Sequence, residues 1–188
     1  IHRFEFKDPE TGAWLPQLKP ITKNVAAEVL EGNVSPEVFY FDRLNPGTFE
    51  LAKNLKDRGT IIFFEPSSIK DRSQFDQFLE VTDILKYSHE RLPDYRTHFR
   101  SSRCFLEVET RGKEGLLYRN KNHADPTHWH AIPGFVLDEI QDAAGAGDWC
   151  TAGIIHLLCI GGRQKLFKTE IASLHNALMF GSALGAMN

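Results

Sequence analysis

The chain has 188 residues, of which 41% are hydrophobic and 25% are charged, which is the ordinary composition of a water-soluble protein with about one domain. Its 22 Lys and Arg against 25 Asp and Glu give a net charge of −3, which argues against a protein that coats nucleic acid or an anionic membrane. No apolar run approaches the roughly 20 residues that span a bilayer, and the polar start shows no signal peptide. We therefore expect a cytoplasmic protein whose three cysteines are reduced thiols.

The first segment is expected to stand apart from the core. Residues 1–20 contain the turn pairs Asp8-Pro9 and Thr11-Gly12 and show no helical period, so we expect an extended arm or hairpin. The core is expected to occupy residues 21–188.

From residue 38 onward, short apolar runs alternate with amphipathic segments. Strands are predicted at 38–41, 60–64 and 84–87, with helices at 48–58 and 71–81 between them. Continuous apolar strands separated by helices of about three turns indicate a parallel sheet with helices on its faces. A hairpin is predicted from 103–109 and 116–118, then a strand at 130–135, a buried helix after Asp148 and a second helix over 164–187. The fold class is α/β.

A Gly-rich turn, residues 142–148, is the most informative segment. It reads Asp-Ala-Ala-Gly-Ala-Gly-Asp and precedes the predicted buried helix. Small side chains leave the backbone N–H groups uncovered, and the positive end of the helix points the same way, so the turn suits a phosphate group. Asp148 would then lie beside the transferring group, where it can accept a proton from an attacking hydroxyl. The alternative is an ordinary tight turn in which Asp148 caps the helix.

The turn and the residues after it resemble the C-terminal signature of the PfkB/ribokinase family of carbohydrate and nucleoside kinases. Only Ala143 departs from the usual pattern. The resemblance implies a three-layer ribokinase-like fold with a mostly parallel sheet, of which this chain would be the incomplete nucleotide-binding part, with ATP and Mg²⁺ as cofactors. It implies that Ala144, Gly145, Ala146 and Gly147 form an anion hole and that Asp148 is the catalytic base. In many members a monovalent cation such as K⁺ lies near positions equivalent to Asp142 and Ala144.

Two more segments extend the resemblance. The segment from Thr110 to Gly115 looks like the family's Thr-x-Gly-x-x-Gly hairpin, which implies that Thr110, Gly112 and Gly115 line the nucleotide; alone, it is an ordinary hairpin turn. Asn176 resembles an Asn in the helix that flanks the adenine pocket, although a solvated helix residue has the same pattern.

A third segment matches the family less closely. The family has Asn-x-x-Glu at the end of a strand, and this chain has Ser88 for the Asn, as fructokinase-like members do, and Arg91 for the Glu. Glu90 lies one residue early, so either Glu90 helps to organise Mg²⁺ or the metal is held mostly by phosphates and water.

Other candidate sites are weaker. Glu65 follows a predicted strand and could face substrate or metal-bound water, but the pattern favours a solvated loop carboxylate. His123, His128 and His130 lie near Asp125, yet their spacing is not that of zinc sites, which favours a surface loop.

The leading functional hypothesis is ATP-dependent phosphoryl transfer to a hydroxymethyl group of a sugar or related polyol. The second is a nucleotide- or sugar-binding module that keeps the fold without turnover, which the Ser88 and Arg91 departures favour. A P-loop enzyme would need a Gly-Lys-Ser/Thr segment, and a Rossmann oxidoreductase would need an early Gly-x-Gly-x-x-Gly turn; the chain has neither. Residues 1–20 match the position of the family's lid, which often mediates dimerisation, so a homodimer is an expectation.

Overall fold

The computed structural model describes residues 7–15, 19–135 and 144–187. Six strands in this part of the chain form one sheet in the spatial order β1-β2-β3-β4-β5-β6. They are β1 (Val38–Phe41), β2 (Ile61–Phe64), β3 (Ile84–Ser88), β4 (Leu106–Thr110), β5 (Gly115–Asn120) and β6 (His130–Pro133). β1 to β4 are parallel, whereas the β4–β5 and β5–β6 pairs are antiparallel. The predicted mostly parallel sheet and its terminal hairpin are confirmed.

Helices cover both faces of the sheet. They are α1 (Lys23–Glu31), α2 (Pro46–Asp57), α3 (Arg72–Val81), α4 (Tyr95–His98), α5 (Ala146–Leu158), α6 (Gly162–Phe167) and α7 (Ile171–Met187). The starts of α2 and α3 are set by side-chain caps: Asn45 accepts the Thr48 N–H at 2.9 Å, and Asp71 accepts the Gln74 N–H at 3.0 Å.

Two hydrophobic cores lie on opposite faces of the sheet. Ile61 and Phe63 of β2 point into the core that α5, α6 and α7 cover, while Ile62 and Phe64 point into the core beneath α1 to α4. All four side chains are fully buried, as expected for a central parallel strand. The structure is thus the expected three-layer α/β fold.

The long C-terminal helix predicted over 164–187 is wrong, because the chain breaks into α6 and α7. Leu166 is fully buried, and Arg163 forms two hydrogen bonds to the buried carboxylate of Asp83 at 2.9 and 3.0 Å. These contacts fix α6 against the sheet. The Thr169 hydroxyl then donates to the Lys165 carbonyl at 3.1 Å, and α7 starts at Ile171. Helices α1 and α4 were not predicted at all.

The strands β1 to β4 all end on the same side, which we call the carboxyl edge of the sheet. β5 starts and β6 ends there too, so the β4–β5 hairpin turn also lies on this edge.

In the first segment, a bridge between Lys7 and Trp14 closes a short turn, whereas the division of the chain at residue 20 remains a prediction. Among the described residues, no helix has the length and hydropathy to cross a membrane.

Candidate functional site

The described end of the Gly-rich turn forms the start of α5 at the carboxyl edge. Gly145 occupies the N-cap position with φ +80°, a conformation that favours glycine, and no side chain caps the helix. Asp148 lies inside the first turn, so it is not the N-cap that the alternative reading required. Gly145, Gly147 and Asp148 are exposed. We call the backbone N–H groups of 144–147 the anion cradle; they lie at the start of the 13-residue helix, where the helix dipole is positive.

Gly147 is not required by the fold. Its φ is not positive, and a methyl group at its Cα would meet only ordinary contacts, 3.9 Å from Lys86 Nζ and 4.0 Å from Glu65 Oε1. Alanine would favour the helix more, by about 1 kcal/mol in a helix interior. The packing of the chain itself would therefore accept an alanine at this position.

Other glycines bring α7 against the back of α5. A Cβ on Gly185 would lie 2.7 Å from the Ala146 carbonyl oxygen, and one on Gly181 would lie 2.7 Å from the Cys150 carbonyl oxygen. Gly153 of α5 faces Gly181 in the same way, with its Cβ position 2.8 Å from the Gly181 Cα. Only glycine permits this close approach, so these residues fix the position of α5 and of its exposed start.

Four side chains that the sequence analysis did not bring together meet beneath the start of α5. Lys86 of β3 forms an ion pair with Glu65, the residue after β2. The Thr151 hydroxyl donates to Glu65 Oε2 at 2.6 Å, and the Tyr40 hydroxyl lies 3.4 Å from the same oxygen. Glu65 is therefore not the solvated loop carboxylate that the pattern favoured.

The pKa of Tyr40 reflects burial and the charges of both Glu65 and Asp148, the candidate base. Burial raises the pKa of the Tyr40 phenol far above its ordinary value, and the negative charges of Glu65, Asp42 and Asp148 add to the effect. Tyr40 therefore stays protonated at any pH at which the protein would work. The three carboxylates occupy one neighbourhood at the ends of β1 and β2 and the start of α5.

The candidate nucleotide residues Ser88, Thr110 and Gly112 lie together one and two strands further along the carboxyl edge. Ser88 and Thr110 are paired across β3 and β4, and the Thr110 hydroxyl donates to the Tyr87 carbonyl at 3.3 Å. Gly112 has φ +55° and no atom within 4 Å of its Cβ position. Gly115, at φ +94°, instead approaches the backbone of β6 so closely that any Cβ would collide with it, which explains this glycine by the packing of the hairpin.

The remaining candidates do not meet at the anion cradle. Asn176 is exposed on α7, nine residues before Gly185, which is about 13 Å along the helix, and it lines an open cavity of about 750 Å³ between α5, α6 and α7. Glu90 and Arg91 are exposed on the turn after β3. Asp142 lies outside the described residues.

The imidazole rings of His123, His128 and His130 do cluster, with centroids 4.6–5.3 Å apart. Even so, the described residues contain no group of three or more His, Cys, Asp or Glu arranged to hold a metal ion.

Comparison with known proteins places the fold. No family model and no curated protein matches the sequence. Solved structures of kinases do match. Aminoimidazole riboside kinase from Salmonella enterica, solved with aminoimidazole riboside and an ATP analogue, is 20% identical with a TM-score of 0.62; the match covers 80% of this chain and 55% of that one.

Two further matches show the breadth of the likeness. Ribokinase from Giardia lamblia is 14% identical with a TM-score of 0.65, over 88% of this chain and 57% of that one. A double mutant of fructokinase from Vibrio cholerae, solved with fructose, ADP and potassium ion, is 20% identical with a TM-score of 0.54. The match covers 74% of this chain and 47% of that one. The chain has the fold of the PfkB/ribokinase kinases, and it spans about half the length of the solved structures it matches.

Proposed function

We propose that this chain is the nucleotide-binding part of an ATP-dependent kinase that phosphorylates a hydroxymethyl group of a sugar or related polyol. One observation carries the proposal: an exposed carboxylate, Asp148, lies in the first turn of α5 beside the backbone amides of the exposed Gly145 and Gly147 at the carboxyl edge. Ligands of open α/β sheets bind at this edge. The kinases with this fold that were solved with an ATP analogue or with ADP and fructose support the same assignment.

In the proposed reaction, Asp148 acts on the acceptor hydroxyl and the anion cradle acts on the transferring phosphoryl group. The acceptor hydroxyl oxygen forms a bond to the γ-phosphorus, the bond from that phosphorus to the β–γ bridging oxygen breaks, and ADP leaves. Asp148 accepts the proton of the attacking hydroxyl. The amides of Gly145, Ala146 and Gly147, at the positive end of α5, stabilise the charge on the transferring group.

The nucleotide would extend along the carboxyl edge from the anion cradle toward the hairpin. Thr110 lies two strands from Glu65, or about 10 Å at ordinary strand spacing. The open backbone at Gly112 leaves room for the ribose or base of the nucleotide. Ser88 lies between the anion cradle and Gly112. Gly115 shapes the hairpin turn that carries Thr110 and Gly112. Asn176 does not lie on this path, because it lines the cavity at the far end of α5 with Leu157 and Leu158.

The metal requirements follow from the donors available. Mg²⁺ would be held mainly by the nucleotide phosphates and water, which suits this ion, with the exposed carboxylate of Glu90 as the candidate protein ligand. A monovalent cation would lie near Asp142 and Ala144, in keeping with the potassium ion named for the fructokinase. Mg²⁺ supplies charge neutralisation between the phosphates when it is bound.

The second candidate is a binding module without turnover. It is favoured by the turn after β3, where Arg91 replaces the expected Glu and both Glu90 and Arg91 are exposed.

Two further expectations accompany either candidate function. The first is a cytoplasmic location, which the free, buried thiols of Cys104, Cys150 and Cys159 support. The second is a homodimer formed through the first segment.

The test compares ATP consumption by the full-length protein across a panel of sugars, polyols and nucleosides. Asp148→Asn should lower kcat by roughly 10²-fold or more, since general-base catalysis contributes about 10²–10⁴-fold, while binding of an ATP analogue persists. Asp57→Asn, an exposed carboxylate at the end of α2, is the matched control and should retain full activity. Turnover that survives Asp148→Asn would refute the assignment of the base. Binding of ATP analogues without turnover on any acceptor would favour the module.

A further inference from the structure

A buried lysine lies beneath the anion cradle, and the proposed phosphoryl transfer does not use it. Lys86 is in the middle of β3, and its side chain is only 1% exposed. An ammonium group buried in a parallel sheet is strongly disfavoured unless an opposite charge and hydrogen bonds compensate it. Its partner is the carboxylate of Glu65.

Glu65 in turn joins the sheet to α5. One carboxylate oxygen binds Lys86, and the other accepts the Thr151 hydroxyl of α5 at 2.6 Å. Tyr40 of β1 lies 3.4 Å from that second oxygen. A single carboxylate therefore ties together three neighbouring strands and the helix that carries the Gly-rich turn.

The contacts reach the anion cradle itself. Lys86 Nζ and Glu65 Oε1 lie 3.9 and 4.0 Å from the Cβ position of Gly147, and the Thr151 hydroxyl lies 3.1 Å from the Gly147 carbonyl oxygen. The ion pair thus sits directly under the first turn of α5. Because its ammonium group is buried, it acts on this turn from below and does not reach a ligand in solvent.

We propose that Lys86, Glu65 and Thr151 are positioning residues that hold the first turn of α5 at the height and angle at which its amides and Asp148 face the transferring group. The catalytic part of this inference rests on the proposed function. The anchoring part does not, because it concerns only the attachment of α5 to the sheet. The buried positive charge also offsets the negative charge of Glu65 beneath the first turn of α5.

The test measures amide hydrogen exchange and turnover in the full-length protein with Lys86→Met and Thr151→Val. In both variants the amides of 149–152 should exchange faster than in wild type, while those of β5 and β6 should not. Lys86→Met should lower kcat by roughly 10- to 100-fold, as expected when catalytic groups shift by about 1 Å, with the KM for the acceptor changed little. Thr151→Val leaves no buried charge unpaired, so it carries the test if Lys86→Met does not fold.

Two controls match these variants. Arg119→Met breaks a fully buried ion pair with Glu107, and Thr48→Val removes a buried hydroxyl from the first turn of α2. Neither should change exchange at 149–152. The inference is overturned if exchange there stays at the wild-type rate in both test variants, and the positioning role is overturned if exchange accelerates while kcat is unchanged. If exchange accelerates but wild type phosphorylates no acceptor, the anchoring stands and the proposed function fails.

Discussion

Replacing Gly147 with alanine should separate stability from function at the anion cradle. The residue is the second of α5, its backbone is helical, and its added methyl group would have no contact shorter than 3.9 Å. The methyl group would lie between the first turn of α5 and the Lys86–Glu65 pair, at van der Waals distance from both partners. The substitution should therefore help the helix and, by adding bulk where the anion cradle rests on this ion pair, lower activity.

The expected gain in the free energy of unfolding is about 0.5–1 kcal/mol, from the helix propensity of alanine and the reduced freedom of the unfolded chain. For a protein of this size that corresponds to a rise in Tm of roughly 1–4 °C. The expected loss in kcat/KM is at least tenfold, and it approaches 10²-fold if one amide of the hole can no longer reach the phosphoryl oxygen.

The assay pairs thermal unfolding with steady-state kinetics on the same preparation. Gly145→Ala is the informative comparison, because its φ of +80° makes alanine strained there, so that variant should lose stability as well as activity. A Gly147→Ala variant that is no less stable than wild type and keeps its full kcat/KM would refute the argument that glycine serves function at this position.

Three other outcomes follow from packing and burial. Gly181→Ala should cost roughly 1–3 kcal/mol in unfolding free energy, because its Cβ would lie 2.7 Å from a carbonyl oxygen of α5 and force the helices apart; an unchanged Tm would contradict this. Burial, followed by the nearby imidazoles, lowers the pKa of His130 below 6.5, so the folded state binds its proton less readily than the unfolded state. Stability should fall as the pH drops from 7.5 toward 5.5, and His130→Asn should weaken that dependence; an unaltered pH profile in the variant would count against it. Burial raises the pKa of Cys159 to about 12, so at pH 8 a thiol reagent should label it only upon unfolding, and rapid labelling of the native protein would be inconsistent with the structure.

The regular part of the fold could be predicted because its patterns are local. Strands β1 to β3 are short apolar runs, and α2 and α3 carry a cap at the start and an apolar face, so their bounds were found within a few residues. The Gly-rich turn was found because small residues directly before a buried helix form a local anion-binding pattern. Its chemical assignment came from a family resemblance, since periodicity alone does not distinguish it from a tight turn.

What the sequence did not reveal depends on contacts between distant residues. The break before α7 follows from the attachment of Arg163 to Asp83, 80 positions apart, and the helical period continues across it. The Lys86–Glu65 pair spans two strands in the same way. One signal was present: a lysine inside the apolar run of β3 needs a buried partner, and the acidic residue closing the preceding strand is the nearest candidate.

The order of the elements along the chain has a consequence for folding and for ligand response. Within the described part of the chain, α1 to α4 alternate with the parallel strands and cover one face, while α5 to α7, which follow the last strand, cover the other face. Attachment of this C-terminal layer therefore buries half of the core and forms the anion cradle in the same step. A ligand that binds the anion cradle adds its binding free energy to the attachment of that layer, about 2.7 kcal/mol at a concentration one hundred times Kd. Protease resistance of residues 146–187 then becomes a measure of occupancy.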